Sequence, residues 1–79
     1  MISMYNRGMK KGIYEHYKGK FYEVIDVAHH SETMEPMVVY KALYKGRFPE
    51  GSLWVRPLAM FKEDVLIDGK NIPRFRFIK

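Results

Sequence analysis

The sequence contains no cysteine. That absence excludes disulfides, thiol nucleophiles, zinc ribbons and iron–sulfur clusters together, and it suits a reducing cytoplasm, the expected location. Long apolar runs are missing too: none exceeds Met37–Tyr40, far short of the roughly 20 residues that a spanning helix needs. No apolar stretch follows the basic residues near the N-terminus, so no secretory signal is expected. The six glycines are scattered through separate turns, and neither a phosphate-cradling loop nor a dinucleotide fingerprint can be written from them. Amphipathic helical periods, heptads and internal repeats are absent as well. What the sequence does have is aromatic side chains, with six Tyr, five Phe and one Trp among 79 residues. At this length a single small domain is expected, with a thin core that buries about 60–65% of the unfolded surface.

Charge is less informative than its total suggests. Fourteen Lys and Arg against nine Asp and Glu give +5, which favours contact with nucleic acid or an anionic surface. Arg7, Lys10, Lys11, Lys18 and Lys20 stand against Glu15 alone in the first twenty residues. The excess therefore sits in the leader and the first hairpin, and the rest is nearly neutral.

Residues 1–11 show no period and read as a flexible leader, with residues 12–79 forming one domain. From Gly12 onward the pattern is that of strands. Ile13–Tyr17 and Phe21–Ala28 flank Lys18-Gly19, read as a two-residue hairpin turn. His29–Pro36 is a polar loop. Met37–Tyr44 is the strongest strand, with Val38, Tyr40, Ala42 and Tyr44 on one face, and a central place covered on both sides is expected. Lys45–Gly51 is a loop and Ser52–Pro57 a short strand, with Trp54 and Arg56 sharing a face. Leu58–Phe61 reads as one helical turn. Asp68-Gly69 between Val65–Ile67 and Lys70–Ile72 is the clearest hairpin signal of all, and the tail alternates Phe75 and Phe77 inward with Arg74 and Arg76 outward. A flat sheet of five or six short strands would leave one face bare. The expected fold is all-β: a small antiparallel barrel of five to six strands, with a helical turn near Leu58–Phe61.

The spelling of these segments adds to the pattern. Gly12-Ile13-Tyr14-Glu15-His16-Tyr17-Lys18-Gly19 and Tyr22 are followed by His30-Ser31-Glu32-Thr33-Met34-Glu35. Then come Val38-Val39-Tyr40, Leu43-Tyr44, Trp54-Val55-Arg56-Pro57, Met60-Phe61 and Pro73-Arg74-Phe75. In this order, from about Gly12 to Ile78, the sequence resembles the small bacterial family known as domain of unknown function 1653. It departs at His29, where many relatives carry Arg. The resemblance implies an SH3-like barrel and implies no activity, since such barrels host peptide, nucleic-acid and small-ligand binding alike.

Three histidines are the only soft metal ligands. His29 and His30 are adjacent and point to opposite faces of an extended backbone, so at most His16, one of them and a carboxylate such as Glu32 could converge. Nothing in the spacing demands a metal, and neither metal nor cofactor is expected. His30, Ser31 and Glu32 hold the residue types of a hydrolase triad, but triad members converge from separate elements and no nucleophile elbow surrounds Ser31. Ser31 and Thr33 are better read as loop residues bonding local backbone groups.

The aromatic set carries more weight, because tyrosine and tryptophan with polar tips suit the half-buried wall of a groove. One account gathers Tyr14, His16, His30, Tyr40, Trp54 and Arg56 on a single ligand-binding face. The other has Trp54 and the tyrosines completing the core, with Arg56 paired to Glu32 or Glu35. For Trp54 taken alone the core is the better reading; for the combined face the two stand about even.

The leading expectation is a non-enzymatic binding module for a peptide or protein segment or a single-stranded nucleic acid. Its candidate residues are Tyr14, His16, His30, Ser31, Glu32, Tyr40, Trp54 and Arg56, with Arg56 anchoring negative charge and Trp54 and Tyr40 stacking. The alternative is a small metal-dependent or hydrolytic enzyme using His16, His30, Ser31 and Glu32. A monomer or weak homodimer is expected, with no membrane partner.

Overall fold

A computed structural model describes residues 9–79. Both hairpin signals form. Strands β1 (Gly12–His16) and β2 (Phe21–His29) are joined by a three-residue loop rather than two. The His16 and Gly19 amides donate to the Lys20 and His16 carbonyls, each at 2.7 Å, and Gly19 takes φ +98°. A positive φ at the third loop position is what a type I turn with a glycine bulge requires, so Tyr17 belongs to the loop and not to β1. At the other hairpin Asp68 and Gly69 take φ +50° and +77°, the two left-handed residues of a type I′ turn. They join β5 (Asp64–Ile67) to β6 (Lys70–Pro73).

The remaining elements are β3 (Pro36–Ala42), β4 (Leu53–Pro57), a single helical turn α1 (Leu58–Phe61) and β7 (Phe75–Phe77). The described residues thus form seven strands in place of five or six, because a bend at Arg74 separates β6 from β7. They make two sheets, one ordered β4-β3-β2-β1-β7 and one of β5 and β6 alone. All pairings are antiparallel, and no hydrogen-bonded ladder joins the β4 and β7 edges. Side chains from those edges do meet: the Arg56 guanidinium of β4 lies 5.5 Å above the Phe75 ring of β7.

Register explains which residues face inward. Val24 opposes Tyr40, Val27 opposes Val38, and Ile25 is the extra residue between them. This β-bulge changes the parity of β2, so Val24 and Val27 point to the same side although three residues apart. Val24, Val38, Tyr40 and Ala42 are buried with Tyr14, Phe61 and Phe75, while Met37, Val39 and Lys41 on the other face of β3 remain partly accessible. The expected cover on both faces of β3 is therefore complete on one face only. Strand β3 ends two residues early, at Ala42, where the Ala42 amide turns to the Ser52 carbonyl and that of Leu43 to Phe21.

The core is largely aromatic. Phe61 of α1 stacks on Phe75, centroids 4.0 Å apart and planes at 3°. Tyr14 and Tyr40 each meet Phe61 edge-on at 5.4 Å, an arrangement favoured by the ring quadrupoles. Arg74 and Arg76 are bonded to Glu63 and Glu15. Of the expected leader, residues 1–8 lie outside the described residues. Met9 packs against the core, the Lys10 carbonyl accepts the Tyr14 hydroxyl at 2.7 Å, and Lys11 lies 3.5 Å from Asp26. Among the described residues, no helix is long and apolar enough to cross a membrane.

Candidate functional site

Five of the eight candidate residues share the inner face of the large sheet. Tyr14 and His16 lie two apart on β1, Trp54 and Arg56 two apart on β4, and Tyr40 pairs directly with Trp54. The structure divides these five by depth. Tyr14 and Tyr40 are buried wall, and burial raises the pKa of the Tyr14 phenol. Tyr40, enclosed by Tyr22, Phe61 and Phe75, offers no face on which a ligand could stack. His16, Trp54 and Arg56 remain accessible.

His30, Ser31 and Glu32 belong to a different place, the turn between β2 and β3. Nδ1 of His30 accepts the Glu32 and Thr33 amides at 3.2 and 3.4 Å. Ser31 Oγ donates to the Glu32 carboxylate at 2.7 Å, and Thr33 Oγ1 accepts the Glu35 amide at 3.2 Å. The His30 amide and carbonyl close the turn onto Glu35 and Met34. These groups are occupied in shaping the loop. His16 lies beside the opposite end of β2, and at about 3.3 Å per residue the strand separates it from His30 by roughly 25 Å. The chain does not bring His16 together with His30, Ser31 and Glu32. No group of three or more His, Asp or Glu among the described residues could hold a metal ion.

What the structure does assemble around His16 is an aromatic cluster centred on Phe75. The His16 ring meets Phe75 edge-on at 4.9 Å and leans on Tyr17 at 4.6 Å. Tyr22 stands 5.7 Å from Phe75, and its hydroxyl shares a 2.7 Å hydrogen bond with Tyr44. Burial and that bond push the Tyr22 phenol pKa well up. The His16 pKa is lowered, first by burial and then by Arg56, Arg74 and Lys18. His16 and Tyr17 also border a groove of about 370 Å³ with Glu15, Ile72, Pro73 and Arg76.

Beside the cluster, Trp54 is 38% exposed and meets Phe48 edge-on at 5.2 Å. The two line a recess of about 170 Å³ with Tyr44, Arg47 and Pro49. Cations border this stretch. Lys20 sits 5.1 Å over Tyr44, Lys18 lies 5.8 Å from the Tyr17 ring, and Arg56 covers Phe75. None of Lys18, Lys20, Arg47 and Arg56 forms an ion pair among the described residues, in contrast to Arg74 and Arg76. The expected pairing of Arg56 with Glu32 or Glu35 is not formed. Tyr22, Tyr44, Phe48, Lys20 and Arg47 complete the surface and were not among the candidates. Phe48 had a visible signal, a large apolar residue inside a Gly- and Pro-rich loop.

The fold is shared with a solved structure. A crystal structure of a DUF1653 protein from Bordetella bronchiseptica matches with a TM-score of 0.80 at 33% identity, covering 91% of this chain and 90% of that one. No match was found among curated proteins. The family model described as "Protein of unknown function (DUF1653)" matches residues 12–77, which include every strand, the helical turn and the whole aromatic surface; the chain belongs to the DUF1653 family.

Proposed function

We propose that this chain is a non-enzymatic binding module for single-stranded nucleic acid. The carrying observation is the row of accessible aromatic rings, Trp54, Phe48, Tyr44 and Tyr17, bordered by Lys18, Lys20, Arg47 and Arg56 without carboxylate partners. Rings that offer a π-face and cations that offer charge without base-specific geometry are the two parts of a single-strand platform. Trp54 and Phe48 take the stacking role, and Tyr40 does not share it. The proposed architecture is an SH3-like roll, in which Arg56 and Phe75 bring the two open edges together. The proposed setting is the cytoplasm, with a monomer as the working unit.

Trp54 is the only tryptophan, so its fluorescence reports on this surface directly. Titration with a short single-stranded RNA should quench it saturably and persist at physiological salt, since stacking is not screened as phosphate contacts are. Trp54→Ala, followed by the fluorescence anisotropy of a dye-labelled RNA, should abolish binding while leaving the far-UV circular dichroism intact. Binding that vanishes at physiological salt, or that survives Trp54→Ala unchanged, would overturn the reading. Saturable binding of an acidic peptide but not of RNA would overturn it in favour of a peptide-binding face.

A further inference from the structure

Within the cationic surface one group is built differently from the rest. Arg56 is half-buried on the inner face, and its one described contact is the face of Phe75. A guanidinium has five N–H donors and no acceptor, and a half-buried one is ordinarily given a carboxylate, as Glu63 serves Arg74. No carboxylate lies within ion-pair distance of Arg56 among the described residues.

Its neighbour His16 contributes a donor as well. The Lys18 amide donates to His16 Nδ1 at 3.2 Å, so that nitrogen is an acceptor and the neutral ring carries its proton on Nε2. The two side chains pack on the same ring, His16 at 4.9 Å and Arg56 at 5.5 Å from the Phe75 centroid. A third donor, Arg74 Nε–H, is buried without a hydrogen-bond partner. The groups that act on His16 are Arg56 from β4, Arg74 from the bend before β7 and Lys18 from the hairpin loop. Tyr17 and Tyr22 add only phenol rings. The charged groups that act on His16 are thus cationic, and the carboxylate that borders its groove, Glu15, is taken up by Arg76.

We propose that His16 and Arg56 form an oxyanion subsite that holds one phosphate group of the ligand, Arg56 through its guanidinium fork and His16 through Nε2–H. A phosphate supplies the acceptors that the site lacks and matches the fork in shape. This inference rests on the nucleic-acid reading above and assigns the phosphate contact within it. It also sets a sign for linkage: an anion bound beside His16 raises the imidazole's affinity for a proton, so the ring titrates at higher pH with phosphate than without.

The test is a titration of the 15N-labelled full chain with inorganic phosphate, read at the His16 ring nitrogens and the Arg56 Nε. Saturable shifts at both, with an upward move of the His16 titration midpoint, are expected. Arg56→Gln should weaken phosphate binding at least about tenfold, and Lys41→Gln, on the outer face of β3 beside Glu23, should leave it unchanged. Arg56→Lys keeps the charge without the fork and should bind more weakly than the parent. It replaces Arg56→Gln if that variant loses its dispersed amide spectrum. Equal loss in Arg56→Gln and Lys41→Gln, or shifts confined to Lys18 and Lys20, would overturn the subsite. The two readings fail separately: RNA that quenches Trp54 without phosphate at His16 and Arg56 sinks only the subsite. Phosphate held there without RNA binding sinks only the nucleic-acid reading, the oxyanion then belonging to a free phosphorylated ligand.

Discussion

Replacing Phe75 tests the structural argument most directly, because one ring joins three parts of the fold. It stacks on Phe61 of α1, meets Tyr40 at 5.6 Å, Tyr22 at 5.7 Å and His16 at 4.9 Å, and carries the Arg56 guanidinium. Phe75→Ala would lose transfer energy and open a cavity, a cost of about 3–5 kcal/mol. A domain of this length has on the order of 4–12 kcal/mol in total, so that variant should lose from about a quarter to all of its stability. Phe75→Leu is more discriminating, because it keeps most of the apolar burial and removes only what the ring supplies. Aromatic pairs add about 0.5–1.5 kcal/mol beyond buried area, and the cation–π contact about 0.5–1 kcal/mol. Since leucine recovers some of this by dispersion, a net loss of about 1.5–3 kcal/mol is expected, enough to lower the melting temperature by roughly 6–24 °C. Urea unfolding followed by Trp54 fluorescence and by circular dichroism measures it, and the pair Phe61→Leu and Phe75→Leu should couple by at least about 0.5 kcal/mol. A leucine variant within about 0.5 kcal/mol of the parent, with no coupling to Phe61, would refute the idea that ring geometry holds the open sheet in its curl.

Other perturbations separate the remaining arguments. Gly69→Ala meets open space but φ +77°, whereas an alanine at Gly12 faces φ +139° and would set its Cβ 2.5 Å from the Lys79 carbonyl oxygen. The first should cost about 1 kcal/mol of backbone strain and the second clearly more, as chemical denaturation of both variants would show. Deleting Ile25 should unfold the domain, because removing the bulge turns either Val24 or Val27 outward, while Ile25→Ser should cost under about 1 kcal/mol; the amide spectra distinguish the two. His16 has a folded-state pKa below its ordinary 6.5, so below that pH the unfolded chain binds more protons than the folded one. Stability should fall as pH drops from 6.5 toward the folded value and then level off, and His16→Gln should remove this part of the slope in melting curves recorded from pH 7.5 to 5.

Local signals in the sequence were sufficient where one hydrogen-bonding pattern decides the geometry. Asp68-Gly69 has few ways to turn, Leu58–Phe61 follows a proline, and Phe75 and Arg76 alternate with the pleat; the bend at Arg74 instead leaves its Nε buried, and Phe77 is exposed rather than inward. The first hairpin loop is one residue longer than expected because Gly19 suits both a two-residue turn and the bulge of a three-residue one. Which applies depends on the pairing of His16 with Lys20. The aromatic face was only partly legible. Parity puts Trp54, Arg56 and Tyr40 on the same side, but depth depends on how the sheet curls. Phe61 and Phe75 cover Tyr40 and leave Trp54 open. His30, Ser31 and Glu32 misled for a different reason: their types suggest chemistry, while their adjacency serves a loop that bonds to itself.

The pairing of β1 with β7 has a consequence for the order in which the molecule can be made. Tyr14 lies against Phe77 and His16 against Phe75, so a strand from the start of the domain waits for the one that leaves the ribosome after all the others. Until then, β1 can pair with β2, but Tyr14, Tyr40 and Phe61 have no Phe75 to close over them. A contact so distant in sequence carries the largest loop-closure cost in the fold and slows its completion. During synthesis the nascent chain should present its rings to water as an unfinished surface, a period in which chaperone contact is most needed.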